Sequence, residues 1–496
     1  MKKFFILLVG ILILYADELL FKIDNLPYEE IENLQKNGIE VWEWNKDFSL
    51  CVSNEENLPE NYKIEVLDKN PRDENYFIVR LLEDIDISKY KKYVKVLWKK
   101  DNLLIVKDIY RKRPEDLKIR AEIKYIRKRK IKISFENLYL PVKPYFQNPI
   151  IEQMISQIDS ATCYNYLKRL QNFRTRNSHH DSIGKAAQYV YNKFLEFGLD
   201  HVYYSYPGQD PWGEFKAKNV VGIKYGQTDT AFIICGHLDA TAGNPYGSEN
   251  VAPGADDNGS GSAGVLTAAK VMANYNFRHE IRFICFVGEE QGLIGSGTYA
   301  DSCANAQSKI RGVYNMDMIC HRDQGNVEDL DADDNNHLPS AYLSDTLIHF
   351  GSVYVSELPI IERHLGGGAS SDHASFQEAG YPAILTIDDA VVGANPYIHS
   401  TADTIGPSAN DFKLMKNSIK AIVATVAELA KVLGQKISEN EKFKKINLTF
   451  KTFSKPFISK DFGLYSSSGR KINYDFSKGI YFIKTKEGKF KIIYLK

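Results

Sequence analysis

The central part of the chain predicts an α/β fold: a mostly parallel, twisted sheet with helices on both faces. Three observations predict it. Short apolar, β-rich runs recur between about Ile150 and Leu433, among them "FIICGHLD", "IRFICFVGEE", "GVYNMDM" and "YPAILTIDD". Helical stretches such as "SGSAGVLTAAKVMANY" alternate with those runs, as in parallel strands joined by helical crossovers. Residues able to do chemistry gather directly after the runs, where open α/β sheets carry their ligands.

The 496 residues suggest about three domains. "MKKFFILLVGILILYADE" has two lysines, an apolar stretch from Phe4 to Tyr15, then Ala16 before acid. Residues 1–16 therefore read as a secretory signal peptide. The stretch is short for a membrane span of about 20 residues, so no stable span is expected after signal removal. The expected location is secreted or at the cell surface, with periplasmic transit possible.

Residues 17–148 form one compositional block, expected to be a small α+β region. "LLFKIDNLPYEEIENLQKNGIEVWEW" reads strand, helix, strand, the helix starting near Pro27 and ending at Asn37–Gly38. A similar order recurs in "YFIVRLLEDIDISKYKKYVKVLWKKDNLLIVKD". Lys89 to Lys132 is strongly basic, and "IKYIRKRKIKISF" resembles an exposed strand edge on which charge discourages aggregation. Such charge also suits a cover over an acidic site, whereas no nucleic-acid module accompanies it. Lying between signal and central region, the block has the position of a propeptide.

"LPVKPYFQNP", with Pro141, Pro144 and Pro149, reads as a linker. Residues 149–434 follow as the central domain, closed by a helix "LMKNSIKAIVATVAELAKVLG" expected to stop at Gly434. Residues 435–496 are lysine-rich, with short alternating runs and turns, and read as a small all-β module. Lys and Arg (63) balance Asp and Glu (63), so net charge names no partner. The six cysteines form no CxxC pair and no disulfide framework, and Cys235 and Cys285 sit inside apolar runs as small buried thiols.

His237 and Asp239 follow the first apolar run, Glu289 and Glu290 the second, and Asp317 the third. His399 lies past "AILTIDD", and Asp256 and Asp257 sit in the glycine-rich "PGADDNGSG". Two adjacent glutamates at the end of a core strand need a positive partner. Two histidines and several carboxylates on one rim suit zinc, or cobalt or manganese, more than calcium. Five ligands exceed one tetrahedral zinc, so a carboxylate bridging two metals fits better. Asp239 can accept a hydrogen bond from the second ring nitrogen of His237. Neighbours on an extended segment point apart, so one of the two glutamates can coordinate while the other acts as general base. HExxH, GxSxG and the P-loop are missing, and no GxGxxG directly follows a strand; "GSGSAG", Gly259 to Gly264, opens a helix that could bind an anion, but Asp256 and Asp257 just before it argue against a phosphate cradle.

"GHLDA", "PGADDNGSG", "GEEQGLIGS", "NMDMI", "SSDHASFQEAGYPA" and "YIHSTADT" occur in this order over roughly residues 160–433. In them the chain resembles the bacterial secreted two-zinc aminopeptidases, the leucyl aminopeptidase type of metallopeptidase clan MH. The resemblance implies a zinc exopeptidase-like fold. It also implies that Asp257 bridges two zinc ions, that His237 and Asp317 hold one, and that Glu290 and His399 hold the other. Glu289 would then be the general base for a water between the metals, with Asp239 behind His237. The implied substrates are peptide or protein N-termini, often with large apolar side chains. A glutaminyl-peptide cyclotransferase and a non-catalytic receptor-like ectodomain use related folds. "GEEQGLIGS" and "HSTADT" favour the peptidase, and the complete ligand set argues against the receptor.

Some members carry a tyrosine between cysteines before S-D-H, where this chain has Gly366, Gly367 and Gly368. "EDLDADDNNH", Glu328 to His337, lacks the glycine and glutamate of an EF-hand and reads as a solvated acidic loop. The tail, "LYSSSGRKINYDFSKGIYF", resembles the C-terminal sorting modules of the type nine secretion system, which implies the secretion machinery as a partner.

Overall fold

Eight strands build the sheet that carries the candidate site in the computed structural model: β9 (His201–Ser205), β10 (Asn219–Lys224), β11 (Ala231–His237), β13 (Glu280–Phe286), β14 (Ile310–Met316), β15 (Leu330–Asp333), β16 (Ile360–Arg363) and β17 (Ala383–Ile387). The structure describes residues 18–108, 119–133, 147–211, 213–323, 328–363, 371–388, 395–435, 464–466, 479–484 and 490–495. The signal-like segment, residues 140–146 of the linker, Gly366–Gly368 and most of the tail lie outside them. The chain divides into two units, Met1–Lys436 and Ile437–Lys496.

Strand order is β16-β15-β17-β14-β11-β13-β10-β9. The centre is parallel: β11 pairs in parallel with β13 and β14, and β14 with β17. Antiparallel pairings join β10 to β13, β9 to β10 and β15 to β17. Side chains of the central strands alternate between two apolar layers, as the pleat requires. Phe232, Ile234, Phe283 and Cys285 enter one layer; Ile233, Cys235, Ile284 and Phe286 enter the other. The first layer is covered by α3 (Ser160–Gln171), α4 (Asp181–Glu196), α5 (Gly261–Met272), α7 (Ala341–Tyr354) and α9 (Phe412–Leu429). The second is covered by α6 (Ile294–Asn305) and α8 (Asp372–Glu378). Each fully buried Phe, Ile or Leu stabilises this sandwich by about 1.5–3 kcal/mol. All six cysteines are free and buried, as their apolar surroundings suggest.

Two expectations for this region change. The closing helix stops at Leu429, and Lys431 turns the chain with φ 56°. Val432–Gln435 (β18) then pairs with Tyr275–Phe277 (β12), so Gly434 lies in a strand. The stretch "EDLDAD" is not a solvated loop: Leu330–Asp333 is a buried sheet strand, with Leu330 and Ala332 in the large core.

The N-terminal block is mostly β. One sheet has the order β2-β3-β1-β4, from β1 (Glu18–Asp24), β2 (Glu40–Trp44), β3 (Phe48–Asn54) and β4 (Ile64–Lys69). The other has the order β6-β7-β5-β8, from β5 (Tyr76–Leu81), β6 (Val94–Lys100), β7 (Leu103–Asp108) and β8 (Ala121–Tyr125). The first expected helix is the six-residue α1 (Ile31–Lys36), and the second is a single 3-10 turn at Ile87–Tyr90. α2 (Pro149–Ile155) opens the central domain.

Strand β8 is an edge, but it is not exposed. Ile119 N donates to Gly243 O at 2.7 Å, and Tyr125 N to Gly292 O at 3.3 Å. Lys124 is buried between Glu43 and Glu378, at 2.8 and 2.7 Å. Arg127 reaches Glu378 at 2.7 Å and also donates to Leu293 O and Ser375 Oγ. The basic charge of "IKYIRKRK" therefore binds the block to the sheet domain. No helix among the described residues is long and apolar enough to cross a membrane. In the second unit, Leu464–Ser466 (β19), Gly479–Lys484 (β20) and Phe490–Leu495 (β21) form an antiparallel three-stranded sheet.

Candidate metal centre

His237 is the last residue of β11, Glu289 and Glu290 follow β13 after the turn at Gly288, and Asp317 follows β14. Parallel neighbours end on one rim, so these residues share one edge of the sheet. Asp257 arrives from the loop before α5, and His399 from the chain after β17. The Asp257 loop is cramped: Gly254 has φ 51°, and a Cβ there would lie 2.5 Å from Asp257 O.

The imidazoles sit on either side of Asp257. His237 Nε2 is 3.2 Å from Asp257 Oδ1 and 3.3 Å from Asp317 Oδ1. His399 Nε2 is 2.9 Å from Asp257 Oδ2 and 3.2 Å from Glu290 Oε2. Glu289 Oε2 stands farther off, 4.0 Å from His237 Nε2. Two overlapping triads, His237–Glu289–Asp317 and His237–Asp257–Glu290, each hold one ligand-type atom per residue within 4.8 Å of the others. Glu289 is the outlying member at 4.0 Å, so it fits a group beside a cation better than a ligand of one. Ligand atoms around a tetrahedral zinc at about 2.1 Å stand roughly 3.4 Å apart, close to the spacing found here.

Surrounding groups fix these side chains. Ser371 Oγ donates to Asp317 Oδ2 at 2.5 Å, and Thr241 N to Glu290 Oε1 at 3.0 Å. Asp403 accepts from the backbone N–H groups of Asp256 and Asp257, at 2.9 and 3.1 Å. Asp239 is close to His237 but holds it differently from the expectation. His237 Nδ1 lies 3.1 Å from the backbone carbonyl of Asp239 and 3.7 Å from its carboxylate. The carboxylate instead accepts from Ser178 Oγ at 2.9 Å and faces the Glu289 and Glu290 amides at 3.4 and 3.3 Å. It braces the turn that carries both glutamates.

Electrostatics describe a site short of positive charge. Burial opposes protonation of His237, yet the carboxylates of Asp317, Glu289, Asp239 and Asp257 raise its pKa well above the usual value. His399 is raised likewise, against burial, by Glu290 and Asp257. Burial pushes Glu289 well up and Glu290 to about 7. Asp317 Oδ1 is buried with no hydrogen-bond partner, though it faces His237. A buried carboxylate oxygen in that state needs a cation. Two imidazoles with Asp257, Glu290 and Asp317 are a fitting donor set for zinc.

The centre opens into a small cavity of about 30 Å³, also lined by Met318, Ile398, Ile123 and Glu122. The last two come from β8 of the N-terminal block. Sequence reading missed Glu122, since "AEIKY" carries only the alternation of any strand.

Residues 219–430 match the family model described as Peptidase family M28. The match takes in the strands and loops that carry the candidate centre. The matched span contains His237, Asp239, Asp257, Glu289, Glu290, Asp317 and His399. A probable leucine aminopeptidase of Trichophyton verrucosum is 30% identical over 224 residues, covering 44% of this chain and 58% of the relative. One from Arthroderma otae is 26% identical over 291 residues, covering 57% of this chain and 75% of the relative. The chain thus spans little more than half the length of the first relative. The crystal structure of Legionella pneumophila LapA aminopeptidase shares the fold, with a TM-score of 0.57 at 22% identity, covering 72% of this chain and 98% of that one.

Proposed function

We propose that the protein is an exported, zinc-dependent aminopeptidase that hydrolyses N-terminal residues from peptides. The observation that carries this reading is the placement of Asp257 between two histidines, each with its own second carboxylate. His237 and Asp317 would hold one zinc ion, and His399 and Glu290 the other, with Asp257 as the carboxylate between them. Cobalt or manganese would suit the same donors. When bound, the metals polarise the scissile carbonyl and acidify the attacking water. Glu289, left outside the ligand set, takes the proton from that water and delivers it to the leaving amine. The backbone carbonyl of Asp239 fixes the His237 tautomer, and its carboxylate braces the Glu289–Glu290 turn.

Export is part of the same reading, supported by the signal-like residues 1–16 and the sorting-like tail. The N-terminal block acts as a propeptide, a role supported by its position in the chain and by β8 lying against the cavity. Metal analysis combined with a panel of aminoacyl amides, their N-blocked counterparts and a glutaminyl peptide tests the proposal. Cleavage confined to free-amine substrates is expected. Cleavage of blocked amides as readily as free ones, or cyclisation of the glutaminyl peptide in place of hydrolysis, would refute it.

A further inference from the structure

We infer that Glu122 is a carboxylate ligand that the N-terminal block supplies to the metal pair, closing the site in the intact chain. The inference rests on the reading of the cavity as a metal centre. Glu122 lines that cavity beside His237, Asp257, Asp317 and His399. Its Oε2 is buried and has no hydrogen-bond partner. Buried carboxylate oxygens are nearly always paired, and one without a donor in a cavity of ligands is placed for a cation.

The strand that carries Glu122 is pinned at three points, each beside a loop that bears a ligand. Ile119 N donates to Gly243 O at 2.7 Å, just after the His237–Asp239 segment. The Arg120 guanidinium donates to Ile398 O at 2.9 and 3.2 Å and to Pro396 O at 3.0 Å, immediately before His399. Tyr125 N donates to Gly292 O at 3.3 Å, two residues past Glu290. Such anchoring fixes the height at which the Glu122 side chain enters. Charge agrees. Glu122, Asp257, Glu289, Glu290 and Asp317 bring five carboxylates to one cavity. Arg80, opposite Glu122 on β5, and the two histidines offset that charge only in part, and two divalent cations would supply the rest. The remaining space, about 30 Å³, holds a water or two and no peptide residue. Glu122 therefore occupies a position that substrate or water takes in turnover.

The test uses the full-length chain in three forms: wild type, Glu122→Gln and Glu122→Ala. Zinc affinity is measured by chelator competition, the visible spectrum of the cobalt-loaded protein reports coordination, and leucyl amide cleavage reports access. Expected are zinc binding weaker by ~10-fold or more, a changed cobalt spectrum and faster cleavage by the intact chain. Should both variants fail to fold, Glu122→Asp keeps the charge, withdraws the oxygen by one methylene and should also weaken zinc. Zinc affinity within about twofold of wild type, with an unchanged cobalt spectrum, overturns the inference. So does a rise in KM for free-amine substrates alone, which would assign Glu122 to the substrate ammonium. Wild-type protein that takes up no zinc would instead remove the metal-centre reading beneath it, a separately visible result.

Discussion

Asp257 faces both histidines, with Oδ1 3.2 Å from His237 Nε2 and Oδ2 2.9 Å from His399 Nε2. One carboxylate thus links the end of β11 to the chain after β17. In Asp257→Asn the geometry remains but the shared negative charge goes. Zinc retained after dialysis should fall from about two ions per chain to one or fewer, as read by elemental analysis. Full retention would contradict the bridging role.

Glu289 stands back from the histidines at 4.0 Å. Glu289→Gln should keep its zinc and lose kcat by about 10²–10⁴-fold, the range for removing a general base. Metal analysis and amide turnover on one sample check both halves. Near-wild-type turnover would reassign the base.

Without metal, both histidines and Glu290 titrate above their ordinary values. His237 and His399 are held protonated beyond their ordinary value of 6.5, and burial raises Glu290 from 4.5 to about 7. A raised pKa gives stability that is full below the unfolded value and lost as pH rises through the folded one. The chelator-treated protein should therefore lose stability as pH climbs from about 4.5 past 7, where the zinc-loaded protein should not. Zinc uptake near neutral pH should release protons, because the ligands must shed theirs. Thermal melts across pH and a proton-release titration check the two outcomes.

Zinc held by side chains that only the fold brings together should stabilise the folded chain. Raising free zinc to about 100 times its Kd should add about 2.7 kcal/mol of stability. Denaturant melts with and without chelator measure this directly, and equal midpoints would contradict it.

Glu378 gathers Lys124, Arg127 and Arg129 of the N-terminal block in a buried ion cluster. Glu378→Ala leaves Arg127 without its carboxylate and Lys124 with Glu43 alone, and should cost about 3–5 kcal/mol, loosening the block before the sheet domain unfolds. Burial opposes ionisation of Glu378, but Lys124, Arg127 and Arg129 hold its pKa at about 2. Its contribution is full above the unfolded value of about 4.5 and is lost as pH falls toward 2. Limited proteolysis across that range should release the block from wild type only under acid.

Much of the sheet domain was legible because its strands are near-continuous apolar runs, and residues such as His237, Glu289 and Asp317 interrupt them at their carboxyl ends. The backbone carbonyl of Asp239, 3.1 Å from His237 Nδ1, was not legible, because a backbone contact leaves no mark in a sequence. Leu330–Asp333 passed for a loop because its acids hid a period-two pattern with Leu330 and Ala332 inward. Glu122 was invisible because its meaning comes from His399 and Asp257, which only the fold brings to β8. The N-terminal helices were overestimated: Ile31–Lys36 and Ile87–Tyr90 are too short to stand as helices without tertiary support.

A crystal structure of the full-length protein grown with zinc, with anomalous density recorded at the zinc edge, is the most direct test. Two peaks about 3.5–4 Å apart on either side of the Asp257 carboxylate are expected, one touching His237 and Asp317 and the other His399 and Glu290. An empty cavity, or zinc bound elsewhere while those five side chains hydrogen-bond only to one another, would contradict the two-metal centre.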